Sequence, residues 1–427
     1  MKFGFYTLGC KVNRFETQAL EQLARMQGHE VVSQDADIFI INTCTVTSVS
    51  DHKNIRAFHK IRKENPHAVI AACGCFAQTN PDKVAAQPEV DLICGTGDRA
   101  SIIARCVEAA QGRPDSKAPE APGRAFEVLP AGVPAGRTRA LLKVQDGCDN
   151  YCSYCIIPYA RGHVRSMPFD TVLQQVDGLK RQGVHEIVLT GIEIAAYGRD
   201  LPGHPGIADL ISAVCKHAPE VRIRLSSLEP RAADEPFCRE LSRRPNLARH
   251  FHLSLQSGCD TVLARMNRKY TAAQYLAAVD RLRRYFPGCS ITTDLIVGFP
   301  GELQEEFDQT AAFVRECRFA DMHVFSYSPR EGTPAAGMDG QVPAQEKERR
   351  AAQMKGIAKE MRHAFLSGFM GQEMDVLLEH PVRDGVWAGH AQYHFTVEVE
   401  TPSGGKNRMA RVIIVGQSGE RLYGKEI

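Results

Sequence analysis

The chain has 427 residues, of which 43% are hydrophobic and 24% are charged, a balance close to that of soluble globular proteins. A chain of this length holds about two to four domains with ample core. Its formal net charge of +2 is too small for a generally basic nucleic-acid binder, so any contact with nucleic acid must use local patches.

The sequence shows no targeting or membrane segment. No apolar run is long enough to span a bilayer, and MKFGFYTLGC lacks the cationic head and cleavage site of a signal peptide. We therefore expect a cytoplasmic protein with no membrane partner. The chain has 14 cysteines, which without an export signal indicate metal or redox chemistry rather than disulfides.

Residues 1–111 predict a small parallel α/β domain, because short apolar runs alternate with amphipathic stretches. The predicted strands are Lys2–Leu8, Asp37–Ile41, Ala68–Ala72 and Val90–Ile93, and the predicted helices are Arg14–Gln27, Ser50–Lys63 and Asp98–Ala110. The loops of such a sheet gather at its carboxyl edge, where open α/β sheets bind their ligands.

Three cysteines of this domain follow predicted strands, namely Cys10, Cys44 and Cys75. Convergence at one sheet edge would suit a three-cysteine cluster, although free cysteines are also commonly buried as small hydrophobic residues. We expect the remaining cysteines outside the central motif to lie in the core or to be isolated: Cys73, Cys94, Cys106, Cys215, Cys238, Cys259, Cys289 and Cys317.

Residues 112–137 are rich in proline, glycine and alanine and predict an interdomain linker. Residues 138–336 then alternate strand-like with helix-like stretches. The predicted strands are Ala140–Gln145, Glu186–Thr190, Val221–Ser226, His250–Leu255, Ser290–Val297 and Met322–Tyr327. Six β/α repeats predict a partial (β/α)6 barrel, with function at the carboxyl ends of its strands.

The most informative motif directly follows the first strand of this barrel. Cys148, Cys152 and Cys155 have the spacing CxxxCxxC, which resembles the cluster loop of the radical S-adenosylmethionine (SAM) superfamily. A [4Fe–4S] cluster normally takes four thiolates, so three leave one iron open for another ligand. A structural zinc site usually pairs two knuckles, and no second knuckle with that spacing follows Cys155.

Polar residues and glycines recur after later strands, at the same edge of the predicted barrel. Glycine permits close approach of backbone to a ligand, and acidic or amide side chains can bond the polar groups of SAM. An acidic residue after a strand can instead cap the next helix. The candidates for SAM binding are Gly191, Glu193, Ser226, Glu229, Gln256 and Gly298.

The tail predicts a connecting helix over residues 337–367 and a small antiparallel β-barrel over residues 368–427. Its predicted strands are Glu373–Glu379, Gly385–Ala391, Phe395–Glu400, Met409–Val415 and Glu420–Gly424. Such a barrel is typical of oligonucleotide binding, and a plain accessory domain is the alternative. Candidate RNA contacts are Tyr393, Lys406 and Arg408, with Arg411 and His394 nearby, and Arg161 and Arg165 of the basic run after the cysteine motif.

Over nearly its whole length the chain resembles the methylthiotransferases, radical SAM enzymes that insert a sulfur and methylate it. The resemblance rests on the three N-terminal cysteines, on a TRAM-like terminal domain, and on the segments DGCDNYCSYCIIPYARGHVRS, HLSLQSGCDTVLARMNRKYT, TTDLIVGFPGE and FSYSPREGTPAA. The phrases TLGCKVN and NTCTVT are similar to the branch that acts on N6-threonylcarbamoyladenosine at position 37 of tRNA.

The resemblance implies two [4Fe–4S] clusters and two molecules of SAM. Cys148, Cys152 and Cys155 would hold the cluster that cleaves SAM, and Cys10, Cys44 and Cys75 an auxiliary cluster that supplies or carries sulfur. The radical would abstract hydrogen from C2 of the adenine. The implied partners are the anticodon loop of tRNA and a low-potential electron donor such as flavodoxin.

Two other functions remain open from the sequence. The first is the same chemistry acting on N6-isopentenyladenosine in tRNA or on a ribosomal-protein aspartate. The second is a zinc-stabilised nucleic-acid-binding protein that catalyses no reaction. One residue departs from the family pattern, since Glu193 stands where relatives of this branch commonly have histidine. The predicted contact of Glu193 with SAM is therefore the point at which the chain departs from this branch.

Overall fold

The computed structural model describes residues 1–113, 119, 121–132 and 136–427. Its first part is a parallel sheet with the order β2-β1-β3-β4-β5. The strands are β1 Lys2–Thr7, β2 Glu30–Val31, β3 Ile38–Thr43, β4 Val69–Gly74 and β5 Leu92–Ile93, and the helices are α1 Lys11–Met26, α2 Ser48–Glu64, α3 Cys75–Thr79, α4 Pro81–Ala85 and α5 Ile102–Ala110. Strand β3 is buried along its whole length, as expected for a parallel strand covered on both faces.

The central part forms two parallel sheets that together follow chain order. One has the order β10-β9-β6 and the other β11-β12-β13-β14, and only Ser226 separates β10 from β11. The barrel strands are β6 Arg139–Lys143, β9 Glu186–Thr190, β10 Arg222–Leu225, β11 Ser227–Leu228, β12 His250–Leu253, β13 Ser290–Val297 and β14 Asp321–Ser326. The result is a six-repeat partial barrel, as the sequence predicts.

Helices alternate with the strands along this part of the chain. They are α6 Ile157–Arg161, α7 Phe169–Arg181, α8 Ile207–His217, α9 Glu235–Leu241, α10 Asp260–Arg265, α11 Ala272–Tyr285 and α12 Gln304–Cys317, and the long α13 Ala344–Ser367 follows. A short pair, β7 Gln145–Asp146 and β8 Arg165–Ser166, flanks the cysteine loop. Phe15 and Ala19 of α1 belong to the same hydrophobic core as the barrel strands, so the N-terminal layer packs directly on the barrel.

The described part of the predicted linker packs against the two domains that it connects. Leu129 and Ala131 are buried in the core of the barrel, and the Glu127 carboxylate accepts a hydrogen bond of 2.9 Å from the Ala100 amide. Its composition indicates irregular structure, but its apolar side chains still pack against the core of the barrel. Other parts of residues 112–137 lie outside the described residues.

The C-terminal part is a closed five-stranded barrel with the order β15-β16-β17-β19-β18. Its strands are β15 Glu373–Arg383, β16 Val386–Ala391, β17 Thr396–Glu400, β18 Arg408–Ser418 and β19 Arg421–Glu426. One feature corrects the predicted all-antiparallel arrangement, because β17 and β19 pair in parallel and so close the barrel. The predicted three-part α/β architecture is otherwise confirmed.

This terminal barrel seals the amino ends of the central strands. Arg222, at the start of β10, donates to the carbonyl oxygens of Asp375 at 2.8 Å and His390 at 3.1 Å. Ser290, at the start of β13, donates to the Tyr393 carbonyl oxygen at 2.6 Å. The interior of the partial barrel therefore has a floor made by the terminal barrel. Among the described helices, none has the length and apolar character needed to cross a membrane.

Candidate active site

The predicted N-terminal cysteine group (Cys10, Cys44 and Cys75) comes together at the carboxyl edge of its sheet. Two glycines make this close approach possible. A Cβ at Gly9 would lie 3.0 Å from the Cys44 sulfur, and a Cβ at Gly74 would lie 2.6 Å from the Thr43 carbonyl oxygen. Both glycines have positive φ angles, of 109° and 91°, which other residues rarely adopt.

Amide side chains fix the loops that carry these cysteines. Asn54 brackets Cys44, because its side chain accepts from the Cys44 amide at 3.2 Å and donates to the Cys44 carbonyl at 2.7 Å. Asn13 donates to the carbonyls of Leu8, at 3.0 Å, and Thr43, at 2.8 Å. The two loops are thus held by side chains that sequence reasoning about the cysteines alone missed.

The thiols of this group are close enough to raise one another's pKa values. Burial raises the pKa of Cys75 to about 11, and the neighbouring Cys10 and Cys44 contribute to the rise. Burial raises the pKa of Cys44 as well, with Cys10 again contributing. Cys44 and Cys75 are buried, whereas Cys10 is open to an internal cavity. Cationic iron would offset the cost of ionising these buried thiols.

The central cysteine group (Cys148, Cys152 and Cys155) lies on a loop that the segment after α10 holds in place. The Ser153 amide donates to the Met266 carbonyl at 3.0 Å, and the Asn267 side chain donates to the Tyr151 carbonyl at 2.8 Å. Burial raises the pKa of Cys148 and of Cys155 to about 12, and Cys152 contributes to both shifts. These three thiols are therefore neighbours too.

Arg268 is a site residue that the sequence analysis did not identify. Its Nη1 donates to the Cys152 sulfur at 3.2 Å, and its guanidinium lies 4.8 Å from the centre of the Tyr270 ring. The signal was available in NRKYT, a polar cluster within a segment that otherwise reads as helix. Arg268 places a permanent positive charge beside the central thiols.

Two of the predicted SAM-binding residues lie beside the central cysteine group. The Asn150 amide donates to the Glu193 carboxylate at 3.2 Å, which ties Glu193 to the cysteine loop. Burial raises the pKa of Glu193 to about 7, and Glu229 adds to the shift. Glu229 accepts from Arg231 at 2.8 Å. The two carboxyl groups therefore face the same region near the loop.

Two further candidates, Gly191 and Ser226, line a cavity of about 740 Å³ inside the partial barrel, which we call the lumen. Cys10 lines the same cavity, and His394 and Phe395 of the terminal barrel line it from the floor. Among the described residues, the Ser226 hydroxyl is a buried polar atom without a hydrogen-bond partner. Such an orphaned group in a cavity wall fits a polar ligand.

Gln256 and Gly298 occupy special backbone positions. Gln256 has a φ of 71°, and its backbone amide donates to the Asp294 backbone carbonyl at 2.9 Å. Gly298 has a φ of 69°, and a Cβ there would lie 2.4 Å from the Lys347 side chain. Turn geometry and packing on α13 account for Gly298 without a ligand, and a SAM contact at either residue stays a prediction.

Among the described residues, no three His, Cys, Asp or Glu side chains are close enough to share a single metal ion. A [4Fe–4S] cluster binds its thiolates through separate iron atoms, so it does not require such a set. Thiol donors in two groups of three fit clusters that each keep one open iron.

Comparison with known proteins identifies the family. Residues 142–314 match the model described as Radical SAM superfamily, and residues 2–95 match Uncharacterized protein family UPF0004. The chain is 38% identical to the threonylcarbamoyladenosine tRNA methylthiotransferase MtaB of Bacillus subtilis (strain 168), over 89% of this chain and 85% of that protein. It belongs to the radical SAM methylthiotransferase family.

Other relatives carry two different names. MtaB of Thermotoga maritima is 36% identical over 97% of this chain and 94% of that protein. The tRNA-2-methylthio-N(6)-dimethylallyladenosine synthase of Moorella thermoacetica is 35% identical over 89% of this chain and 87% of that protein. The chain is thus a transferase, and the alternative of a non-catalytic zinc protein is wrong.

Solved structures share the fold of this methylthiotransferase at low identity. The radical SAM methyltransferase TsrM from Kitasatospora setae, with cobalamin and a [4Fe–4S] cluster bound, gives a TM-score of 0.58 at 14% identity over 78% of this chain and 74% of that chain. The radical enzyme OxsB gives 0.52 at 12% identity over 83% of this chain and 56% of that chain. Membership of the radical SAM superfamily implies SAM and a [4Fe–4S] cluster as cofactors.

Two predicted RNA contacts of this methylthiotransferase are wrong. Arg161 is fully buried and donates to Glu16 at 2.8 Å and to Asp146 at 3.1 Å. Arg165 is 6% exposed, and it lies 3.6 Å from Asp146. The basic run is therefore an internal ion-pair network, because each of these cations has a buried carboxylate partner. Neither guanidinium group is available to RNA.

The RNA contacts predicted on the terminal barrel fall in three environments. The Tyr393 ring packs on those of Phe369 and Phe395, with centroid distances of 4.7 and 5.8 Å. Arg408 forms a salt bridge with Glu426, in which its Nη2 donates to Glu426 Oε2 at 2.9 Å. Lys406 instead lines a smaller cavity next to the lumen.

Proposed function

We propose that this enzyme adds a methylthio group to C2 of N6-threonylcarbamoyladenosine at position 37 of tRNA. It would use a [4Fe–4S] cluster on each cysteine group and two molecules of SAM. The observation that carries the proposal is the placement of the two groups around one cavity. Cys10 and Gly191 both line the lumen, and Gly191 is two residues from Glu193, which Asn150 ties to the central cysteine loop. The tRNA substrate follows the names of the relatives.

The residues around the lumen would prepare this reaction. When bound, the clusters and SAM supply a radical able to attack an unreactive aromatic C–H bond, together with the sulfur and methyl groups. The floor made by the terminal barrel would limit access of bulk water from that end, and Arg268 holds positive charge beside the central thiols. Ser226 would bind a polar group of SAM or of the substrate. The chain's location in the cytoplasm, where its tRNA is found, belongs to the same proposal.

Methylthiolation of N6-isopentenyladenosine is the second candidate, because a synthase for its product is 35% identical to this chain. That base carries an apolar group without charge. Many side chains on the lumen walls are ionisable, among them His252, Asp294, His323 and Arg362. This lining favours a polar, charged substituent over an apolar one.

The use of two clusters is tested with a variant that lacks the central cysteine group. Cys148, Cys152 and Cys155 are replaced together by alanine, and the protein is purified without oxygen. We expect about half of the iron and sulfide of the wild type, and a cluster signal by electron paramagnetic resonance after reduction. A colourless, iron-free variant with native secondary structure would mean that Cys10, Cys44 and Cys75 hold no cluster.

The choice of substrate is tested in cells that lack this gene. Mass spectrometry of tRNA nucleosides is expected to show loss of the methylthio derivative of N6-threonylcarbamoyladenosine, with the isopentenyl derivative unchanged. The reverse pattern would assign the enzyme to the second candidate. A matched strain that expresses the triple cysteine variant is expected to behave like the deletion strain.

A further inference from the structure

A second cavity adjoins the lumen and carries an excess of positive charge. This basic chamber has a volume of about 250 Å³ and shares Lys11 and His394 with the lumen. Its cationic side chains are Lys11, Arg14, Arg137, Arg139, Arg224 and Lys406, whereas Glu379 is its single carboxylate among the described lining residues. An anion in this chamber would be strongly favoured.

Some of this charge is already neutralised. Arg139 lies 3.1 Å from Glu379, and Arg224 lies 2.7 Å from Glu186. Within the described part of the chain, Lys11 has no carboxylate at ion-pairing distance. Asp294 acts on Lys11 only at longer range, and it is already engaged by His252 and His323 at 3.3 Å each. The Lys11 ammonium is therefore left for a ligand.

The backbone around Lys11 adds to the positive potential. Lys11 is the first residue of the 16-residue helix α1, whose N-terminus has no side-chain cap and no acidic residue in its first turn. The first amides of a helix lack intrahelical partners and carry the positive end of its dipole. Lys11 also directly follows Cys10, and the two side chains are close enough to interact electrostatically.

Buried polar atoms in the lumen, which Lys11 also lines, point independently to a ligand. Among the described residues, the Ser226 hydroxyl, His250 Nδ1 and His394 Nδ1 are buried without a hydrogen-bond partner, and all three residues line the lumen. Ser226 and His250 are 4% and 2% exposed. A polar molecule that reaches from the lumen to the basic chamber would satisfy these groups.

We propose that Lys11 is the specificity-determining residue of this enzyme and binds the carboxylate of the threonylcarbamoyl group, while the adenine lies in the lumen beside Cys10. This inference rests on the proposed function and deepens it. The threonylcarbamoyl group carries a carboxylate and a hydroxyl, which match the ammonium and the orphaned polar atoms. An isopentenyl group offers neither. An RNA phosphate is the other anion that Lys11 could bind, and the test separates the two.

The test measures binding rather than turnover. The anoxically prepared holoenzyme is titrated with fluorescent anticodon hairpins that carry N6-threonylcarbamoyladenosine, its methyl ester, N6-isopentenyladenosine or adenosine. We expect the wild type to bind the free acid about tenfold more tightly than the ester, because a charge-assisted hydrogen bond is lost. Lys11→Met removes this difference, and Lys11→Arg retains most of it. Lys359→Met, which removes an exposed charge on α13, leaves the difference unchanged.

Each result decides between the possibilities. If the wild type binds the acid and the ester equally, the role of Lys11 is overturned without any variant. If it binds both tightly, the proposed function still stands. Uniform weakening of all hairpins by Lys11→Met, with a shallower salt dependence, would mean a phosphate contact and overturn the inference. Preference of the wild type for the isopentenyl hairpin would instead overturn the proposed function.

Discussion

Single residues around the central cysteine group set its charge. Arg268 is a fixed cation within hydrogen-bonding distance of the Cys152 sulfur, and Tyr270 and the Ser254 carbonyl hold its guanidinium. A reduced cluster carries one more negative charge than an oxidised one. A nearby cation therefore stabilises the reduced form and raises the reduction potential.

Replacement of Arg268 by glutamine is expected to lower the reduction potential of the cluster bound to Cys148, Cys152 and Cys155. The loss of one unit charge at this range predicts a shift of roughly 50 mV or more. A redox titration followed by electron paramagnetic resonance measures it. Lys269→Gln removes the same charge from the neighbouring exposed residue and is expected to have little effect. An unchanged potential in Arg268→Gln would show that Arg268 serves packing only.

At the scale of elements, a buried ion-pair network joins helix α1 to the cysteine loop of the barrel. Glu16 of α1 lies 3.0 Å from Lys143 and 3.2 Å from Arg99, in addition to its contact with Arg161. Burial alone would raise the pKa of Glu16, but these three cations outweigh it and hold the pKa at about 2. Arg161 also donates to Asn13, at 2.9 Å, and Asn13 fixes the loops of Cys10 and Cys44. The network thus aligns the two cysteine groups.

We predict that Arg161→Met destabilises the protein by about 3–5 kcal/mol, because it leaves buried carboxylates with too little compensating charge. Urea unfolding at neutral pH measures the change. Arg181→Met, at the exposed end of α7, is the control and should change the free energy of unfolding by less than about 0.5 kcal/mol. A loss below about 1 kcal/mol in Arg161→Met would contradict the role of the network.

The sequence predicted most elements and the cysteines, but not how charges pair. Apolar runs such as Ile38–Thr43 located the parallel strands, and the spacing of Cys148, Cys152 and Cys155 located the central loop. Arg161 looked like a surface charge because its partner Glu16 lies 145 residues away in the chain. Short elements such as β2 and α3 carry too few residues for a periodic pattern.

At the scale of the whole molecule, Glu186 couples the partial barrel to its floor. It accepts from Arg224 at 2.7 Å and from Arg222 at 3.2 Å, and both arginines also donate to carbonyls of the terminal barrel. Burial would raise the pKa of Glu186, but the two arginines lower it from an ordinary value of 4.5 to about 2. Glu186 is therefore ionised when the terminal barrel is packed against the partial barrel.

This shift predicts how stability depends on pH. A carboxyl group whose pKa is lower in the folded state contributes stability above its unfolded pKa and loses it as the pH falls. The stabilisation from Glu186 should be complete above about pH 4.5 and decline toward pH 2. Urea unfolding of Glu186→Gln is expected to differ most from the wild type at neutral pH and least near pH 2. The exposed control Glu305→Gln should show no such trend, and a pH-independent difference in Glu186→Gln would contradict the account.

The central claim is that the two cysteine groups and the basic lumen together form an enzyme for threonylcarbamoyladenosine in tRNA. The most direct measurement supplies the reconstituted enzyme with SAM, a low-potential reductant and an equal mixture of tRNAs that carry N6-threonylcarbamoyladenosine or N6-isopentenyladenosine. Mass spectrometry of the nucleosides then follows both products. The account predicts that the methylthio group appears on threonylcarbamoyladenosine. Its appearance mainly on isopentenyladenosine would contradict the claim.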